Sequence, residues 1–254
     1  MTINRPRSKR FARLPDWIDI LALGAWGILF LRYWLTGKLG LLIHPNYYGL
    51  TVAAAVVLLV IAGVRGWQQV RRIRGPRLQH MTFFTPGAMS SVLLGAAILG
   101  LVIVPRPFAS QTAIQRGLEQ NIAVVTRSRP QAFRVNESTE SRSLIDWVRA
   151  LDAYPEPDAY TGQRVNVQGF AVHSSALPDQ YLTLTRFVIT CCAADVYPVG
   201  LPVKLPKSRR AYPVDQWFTV QGKMGTAAFK GKRQLVIEAT KLTPIPEPEN
   251  PYNY

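Results

Sequence analysis

Hydrophobic and polar positions follow two regimes along this chain. The first 105 residues hold three long runs almost free of charge, at 17–35, 47–64 and 87–104, and no such run follows. Each approaches the roughly 20 residues that an α-helix needs to cross hydrocarbon at about 1.5 Å per residue. The first run carries Asp19 and Arg32 near opposite ends, within snorkelling reach of headgroups, and places Trp17, Tyr33 and Trp34 where interfacial aromatics belong. Pro86 and Pro105 frame the third, as prolines that start and stop a helix do. The pattern predicts three transmembrane helices.

Past Pro105 the chain turns polar. Residues 105–142 read as a tether with a weakly amphipathic patch over 114–125. Ser143-Leu144-Ile145-Asp146 has capping-box spacing, and Leu144, Trp147, Val148 and Leu151 recur at helical intervals, which predicts a short helix to about Tyr154. Pro155 and Pro157 close it, and the hydrophobic period then falls to two. Five strands are predicted, at 164–173, 180–191, 199–204, 216–223 and 233–242. Glycines 162, 169, 200, 222 and 225 fall at their ends or interiors, where a tightly coiled sheet bends or bulges. The expected fold is therefore an α+β membrane protein: three N-terminal transmembrane helices, then a short helix and a small outward-facing OB-like five-stranded β-barrel over 143–244. Residues 245–254, rich in proline, read as a disordered tail.

Charge adds a direction. The 254 residues carry 30 Lys and Arg against 15 Asp and Glu, a net +15, yet 48% hydrophobic and 18% charged residues exclude a disordered basic chain. Arg5, Arg7, Lys9, Arg10 and Arg13 precede the first run, and Arg65, Arg71, Arg72, Arg74 and Arg77 follow the second; only Lys38 lies between the first two. Basic residues stay on the cytoplasmic side. Residues 1–16 are therefore expected in the cytoplasm, and three spans place the C-terminal domain on the outer face. The clusters are explained by topology and anionic lipid, so the lipid bilayer is an expected partner and nucleic acid is not. The sequence RYWLTGK after the first run lacks a small-x-small cleavage pattern, which makes that run an anchor rather than a signal peptide.

The candidate chemistry is concentrated in Thr190-Cys191-Cys192-Ala193-Ala194-Asp195. Two adjacent cysteines cannot staple distant segments, and a disulfide between them would be strained, because consecutive Cα atoms lie about 3.8 Å apart against the roughly 4.4–6.8 Å that a disulfide prefers. In a regular strand their side chains diverge, whereas a bulge or turn lets them converge. One reading is a site for a soft metal ion such as zinc, or a metalloid, held by Cys191 and Cys192 with Asp195 and His173 as further ligands. The other makes one cysteine a small core residue and Asp195 a turn residue. The glycines and basic residues of 222–233 depart from a phosphate-binding loop and read as a basic turn. No Ser/His/Asp set, zinc-protease helix or dinucleotide fingerprint is present, so the chain is not expected to be an enzyme.

The segment Arg186-Phe187-Val188-Ile189-Thr190-Cys191-Cys192-Ala193-Ala194-Asp195, with Gly169-Phe170 before it and WFTVQG from Trp217 to Gly222 after it, resembles the small-subunit family of a two-component membrane permease complex. The resemblance implies a bacterial inner (plasma) membrane location, with the C-terminal domain periplasmic or extracellular, and a larger multi-span permease protein as partner. It marks Cys191, Cys192 and Asp195 as motif positions without assigning roles. The expectation is a non-enzymatic accessory subunit whose outward domain senses or presents a metal or thiophilic solute through the vicinal cysteines. A membrane-tethered thiol redox protein and a structural assembly subunit without ligand stand as alternatives.

Overall fold

The computed structural model describes residues 14–71, 87–118, 139–229 and 231–254. The chain divides into two compact units, Met1–Arg106 and Pro107–Tyr254. Residues 1–13 of the basic N-terminus expected at 1–16, and Arg72, Arg74 and Arg77, lie outside the described residues.

In the first unit, α1 (Leu14–Leu35), α2 (Tyr48–Val70) and α3 (Ala88–Val102) coincide with the three apolar runs. Large apolar side chains such as Leu21, Ile28, Leu50, Val60 and Val102 stand exposed, which suits helices that face lipid better than helices with a polar face toward water. Two helices, spanning Asp16–Leu35 and Pro45–Val70, are long and apolar enough to cross a membrane. The third is shorter than expected. Its 15 residues rise about 22 Å, less than a typical hydrocarbon core.

Small residues let these helices approach. A Cβ added to Gly27 of α1 would lie 2.7 Å from the Leu59 side chain of α2, and one on Gly100 of α3 would lie 3.0 Å from Leu29. Polar side chains of α1 also serve the backbone of α3. Trp26 donates to the Leu93 carbonyl at 3.0 Å, Tyr33 donates to Gly100 at 2.5 Å, and the Arg32 guanidinium donates to Leu101. Arg32 is thus engaged by a neighbouring helix end, which carries the unpaired carbonyls of its last turn.

The second unit begins with α4 (Ser110–Gln115), cut from the expected tether. Phe108 packs 5.7 Å from Phe187, and the Ser110 N–H donates to Asp215 at 2.6 Å. The amphipathic patch expected over 114–125 lies partly outside the described residues. The predicted capping box forms: Ser143 Oγ accepts from the Asp146 N–H at 3.3 Å, while the Asp146 carboxylate accepts from the Ser143 N–H at 3.0 Å. It starts α5 (Leu144–Ala153), which buries Leu144, Ile145 and Trp147.

The strands are β1 (Arg164–Val172), β2 (Tyr181–Val188), β3 (Tyr197–Lys204), β4 (Trp217–Phe229), β5 (Lys232–Ile245) and β6 (Tyr252–Asn253). They make one six-stranded sheet of order β1-β4-β5-β3-β2-β6, in place of the five strands expected. Because β1 also pairs with β2, the order returns to its start through the first five strands. The bulge in the β4–β5 pair brings backbones close together. A Cβ on Gly222 would lie 2.2 Å from the Glu238 carbonyl oxygen, beside a register shift between Gln221 and Gly222, so only glycine fits this bulge.

The sequence reading of a disordered tail is corrected by β6. Tyr252 and Asn253 pair in parallel with Phe187 and Val188. Tyr252 is 2% exposed, its ring lies 6.3 Å from Phe187 and 6.0 Å from Phe108, and its hydroxyl accepts the Phe108 N–H at 3.1 Å. Burial of one large aromatic offsets the ordering of a short extended segment that proline content alone suggested was free.

Candidate metal centre

The chain leaves β2 three residues earlier than predicted. Val188 is the last strand residue, Thr190 and Cys191 form a bend, and Asp195 N–H donates to the Cys192 carbonyl at 3.0 Å to close a turn. The bend interrupts the alternation that would send adjacent side chains to opposite faces. Cys191 Sγ and Cys192 Sγ lie 3.6 Å apart as free thiols, the first exposed and the second half-buried.

Asp195 organises this turn. Its carboxylate accepts the Cys191 N–H at 2.8 Å, the Cys192 N–H at 3.2 Å and the Thr190 hydroxyl. Potential ligand atoms of Cys191, Cys192 and Asp195 all lie within 4.8 Å of one another. Partial burial pushes the Asp195 carboxyl up, but the hydrogen bonds from Thr190, Cys191 and the two backbone groups outweigh it and hold the group at about 2. The same carboxylate, followed by the Cys192 sulfur, raises the Cys191 thiol to about 11. A soft cation entering here meets an ionised carboxylate and must displace thiol protons.

His173 does not belong to this cluster. It follows β1, whose residue Val172 pairs with Thr183 near the start of β2, whereas the cysteines follow the other end of β2 at Val188. Several strand residues at about 3.3 Å each separate the two ends. The His173 ring is instead hydrogen-bonded to the Tyr212 carbonyl at 2.8 Å. Sequence proximity to a strand end suggested a ligand; antiparallel register carries it away.

Two residues to which the sequence assigned no role hold the turn. Thr190 fixes the carboxylate, and its place beside the cysteines was the available signal. Arg116, from the C-terminal end of α4, donates to the Val196 carbonyl at 2.5 Å and to Ala194 at 3.3 Å, and its guanidinium stands 5.3 Å over the Phe108 ring. Nothing local to Arg116 could have announced a contact 80 residues away.

The other motif segments meet behind the strand that carries the turn. Phe170 lies 5.5 Å from Phe187 and 5.6 Å from Trp217, and Arg186 stands 5.3 Å over Trp217 while donating to the Asn250 carbonyl at 3.1 Å. Burial lowers the Arg186 pKa. Their contacts are structural.

Residues 134–254 match the DUF1980 C-terminal domain. The UPF0703 protein YcgQ of Bacillus subtilis (strain 168) is a relative, 26% identical over an alignment of 129 residues that covers 49% of this chain and 45% of that protein. The match therefore spans less than half the relative's length. No solved structure matches the chain. Neither the family description nor the relative's name mentions a permease, and the family match places a shared domain in the C-terminal half.

Proposed function

We propose that this chain is a membrane-anchored accessory subunit whose second unit binds a soft divalent cation of the zinc class through Cys191, Cys192 and Asp195 and presents it to a larger multi-span permease. The convergence of those three donors within 4.8 Å carries the reading. Two thiolates and a carboxylate suit zinc better than hard cations, which prefer all-oxygen shells.

In this reading all three apolar runs span the plasma membrane, with the second unit outside as an OB-like barrel. The circuit of β1-β4-β5-β3-β2 pairings supports the barrel. The apolar helices support the anchor. No triad or cofactor fingerprint calls for a catalytic role.

The test is metal content of the full chain purified anaerobically in detergent, loaded with zinc and compared with the Cys191→Ser, Cys192→Ser double variant. One zinc per chain, lost in the variant, supports the proposal. Equal zinc content in both, or none in either, overturns it in favour of a redox or structural role.

A further inference from the structure

We infer that the Cys191, Cys192 and Asp195 site is a transfer site with an open fourth position, from which the ion passes by ligand exchange to an imidazole or thiolate presented by a second protein. This rests on the metal-binding reading above and adds the chemistry of the recipient.

The geometry of the pair selects the ion first. With sulfurs 3.6 Å apart and metal–sulfur bonds of about 2.3 Å, the angle at the metal is roughly 100°, close to tetrahedral. A linear two-coordinate ion with the same bonds would need sulfurs about 4.6 Å apart. A tetrahedral ion then asks for four donors, and the described residues bring together three. Structural zinc sites are closed by four protein ligands, whereas sites that exchange or activate a ligand keep a position open.

Location determines what fills that position. All three donors come from five consecutive residues of one turn, so among the described residues no second element supplies a donor to the ion. Cys191 is exposed, and Cys192 and Asp195 are half-buried. His173, the imidazole expected from sequence, is bound to the Tyr212 carbonyl at the other end of β2. Among the described residues no fourth donor joins the three, which leaves that position to solvent or to another molecule. The hydrogen bonds that orient Asp195 arise within the turn itself, so an incoming donor is able to bind before an outgoing one leaves without the sheet unfolding.

The exchange balances simply. Loading two thiols and the Asp195 carboxylate with a divalent cation releases two protons to solvent and forms two metal–sulfur bonds and one metal–oxygen bond. Transfer breaks these bonds as bonds to the recipient form, and the two sulfurs recover protons. No electron is moved.

The experiment uses the full chain in detergent under anaerobic conditions. Cobalt(II), a spectroscopic stand-in for zinc, is bound first, and imidazole is then added. A saturable shift of the visible spectrum, with cobalt still bound at one per chain, is expected for an imidazole entering an open position. In parallel, zinc-loaded protein is mixed with increasing concentrations of a chromogenic nitrogen chelator, and the release rate is expected to rise in proportion to chelator concentration. A bound cobalt whose spectrum ignores imidazole, or a zinc release rate independent of chelator, overturns the transfer site while leaving the metal site intact. Failure to bind either ion overturns both.

Discussion

Arg116 donates to the carbonyl oxygen of Val196 at 2.5 Å across 80 residues of sequence. It ties the end of α4 to the outgoing arm of the cysteine turn, and with its second bond to Ala194 it restrains two of the six residues that follow Thr190. Replacing Arg116 by Ala leaves those carbonyls to water, at a cost of about 1 kcal/mol for a partly exposed charged hydrogen bond. Hydrogen exchange of the full chain is expected to quicken at 190–196 while β4 and β5 keep their protection. Uniform loss of protection would mean that Arg116 holds the whole unit rather than the turn.

The Cys191 thiol, raised to about 11 by the Asp195 carboxylate, is expected to be slow toward alkylation at neutral pH, because the thiolate is the nucleophile. Its alkylation rate should climb to a midpoint near 11, and Asp195→Asn should bring that midpoint down toward 9.0. Mass-spectrometric counting of modified Cys191 against pH checks this. An unchanged midpoint in the variant would remove Asp195 as the cause.

Stability follows the same two groups in opposite directions. Asp195 is held below its usual 3.8, so its contribution is present above that value and is lost as pH falls toward about 2. Cys191 is held above its usual 9.0, so its contribution is present below 9.0 and is lost as pH rises toward about 11. Urea unfolding of the metal-free chain should show both flanks for the parent. Asp195→Asn should flatten both, since that carboxylate is one partner in each. A variant that retains either flank would assign that flank to another group.

Gly222→Ala should be costly. Its Cβ would stand 2.2 Å from the Glu238 carbonyl oxygen, so the β4–β5 bulge must open, at about 3 kcal/mol by analogy with overpacked cores. Gly162→Ala meets no atom within 4 Å and is strained only by a φ of 81°, a penalty of about 1 kcal/mol. Chemical denaturation of the two variants is expected to rank them in that order; equal loss would mean that the bulge relaxes freely.

Tyr252→Ala should loosen both the last strand and its neighbours. Removing a ring buried between Phe187 and Phe108 is expected to cost about 3 kcal/mol, and Tyr252→Phe about 1 kcal/mol, for the hydroxyl that accepts the Phe108 N–H. Near-ultraviolet dichroism and urea midpoints measure both. A Tyr252→Ala protein as stable as the parent would restore the picture of a free tail.

Local signals were the legible part of this fold. The Ser143 and Asp146 capping box, the three apolar runs and the positions of the first five strands could be read because each depends on near neighbours in sequence. The convergence of Cys191, Cys192 and Asp195 was legible for the same reason: one turn supplies all three. What escaped was nonlocal. Register, not residue type, sends His173 to the far end of β2. A pocket between Phe108 and Phe187 gives Tyr252 a reason to stay ordered. The early end of β2 depends on Asp195 drawing the backbone N–H groups of Cys191 and Cys192 out of strand geometry.

The cysteine turn is bracketed by chain made long before it and long after it. Arg116 precedes its Val196 partner by 80 residues, and the Arg186 guanidinium finds the Asn250 carbonyl 64 residues onward. Beside the turn, the Ile189 N–H also waits for the Asn253 carbonyl. During synthesis the thiols therefore emerge well before the segment that steadies the strand leading to them, and contacts of such separation form late. The interval between emergence and the arrival of Asn253 is when these sulfurs are least restrained and most open to oxidation, which makes the redox conditions of that interval a determinant of how much thiol-bearing protein a cell obtains.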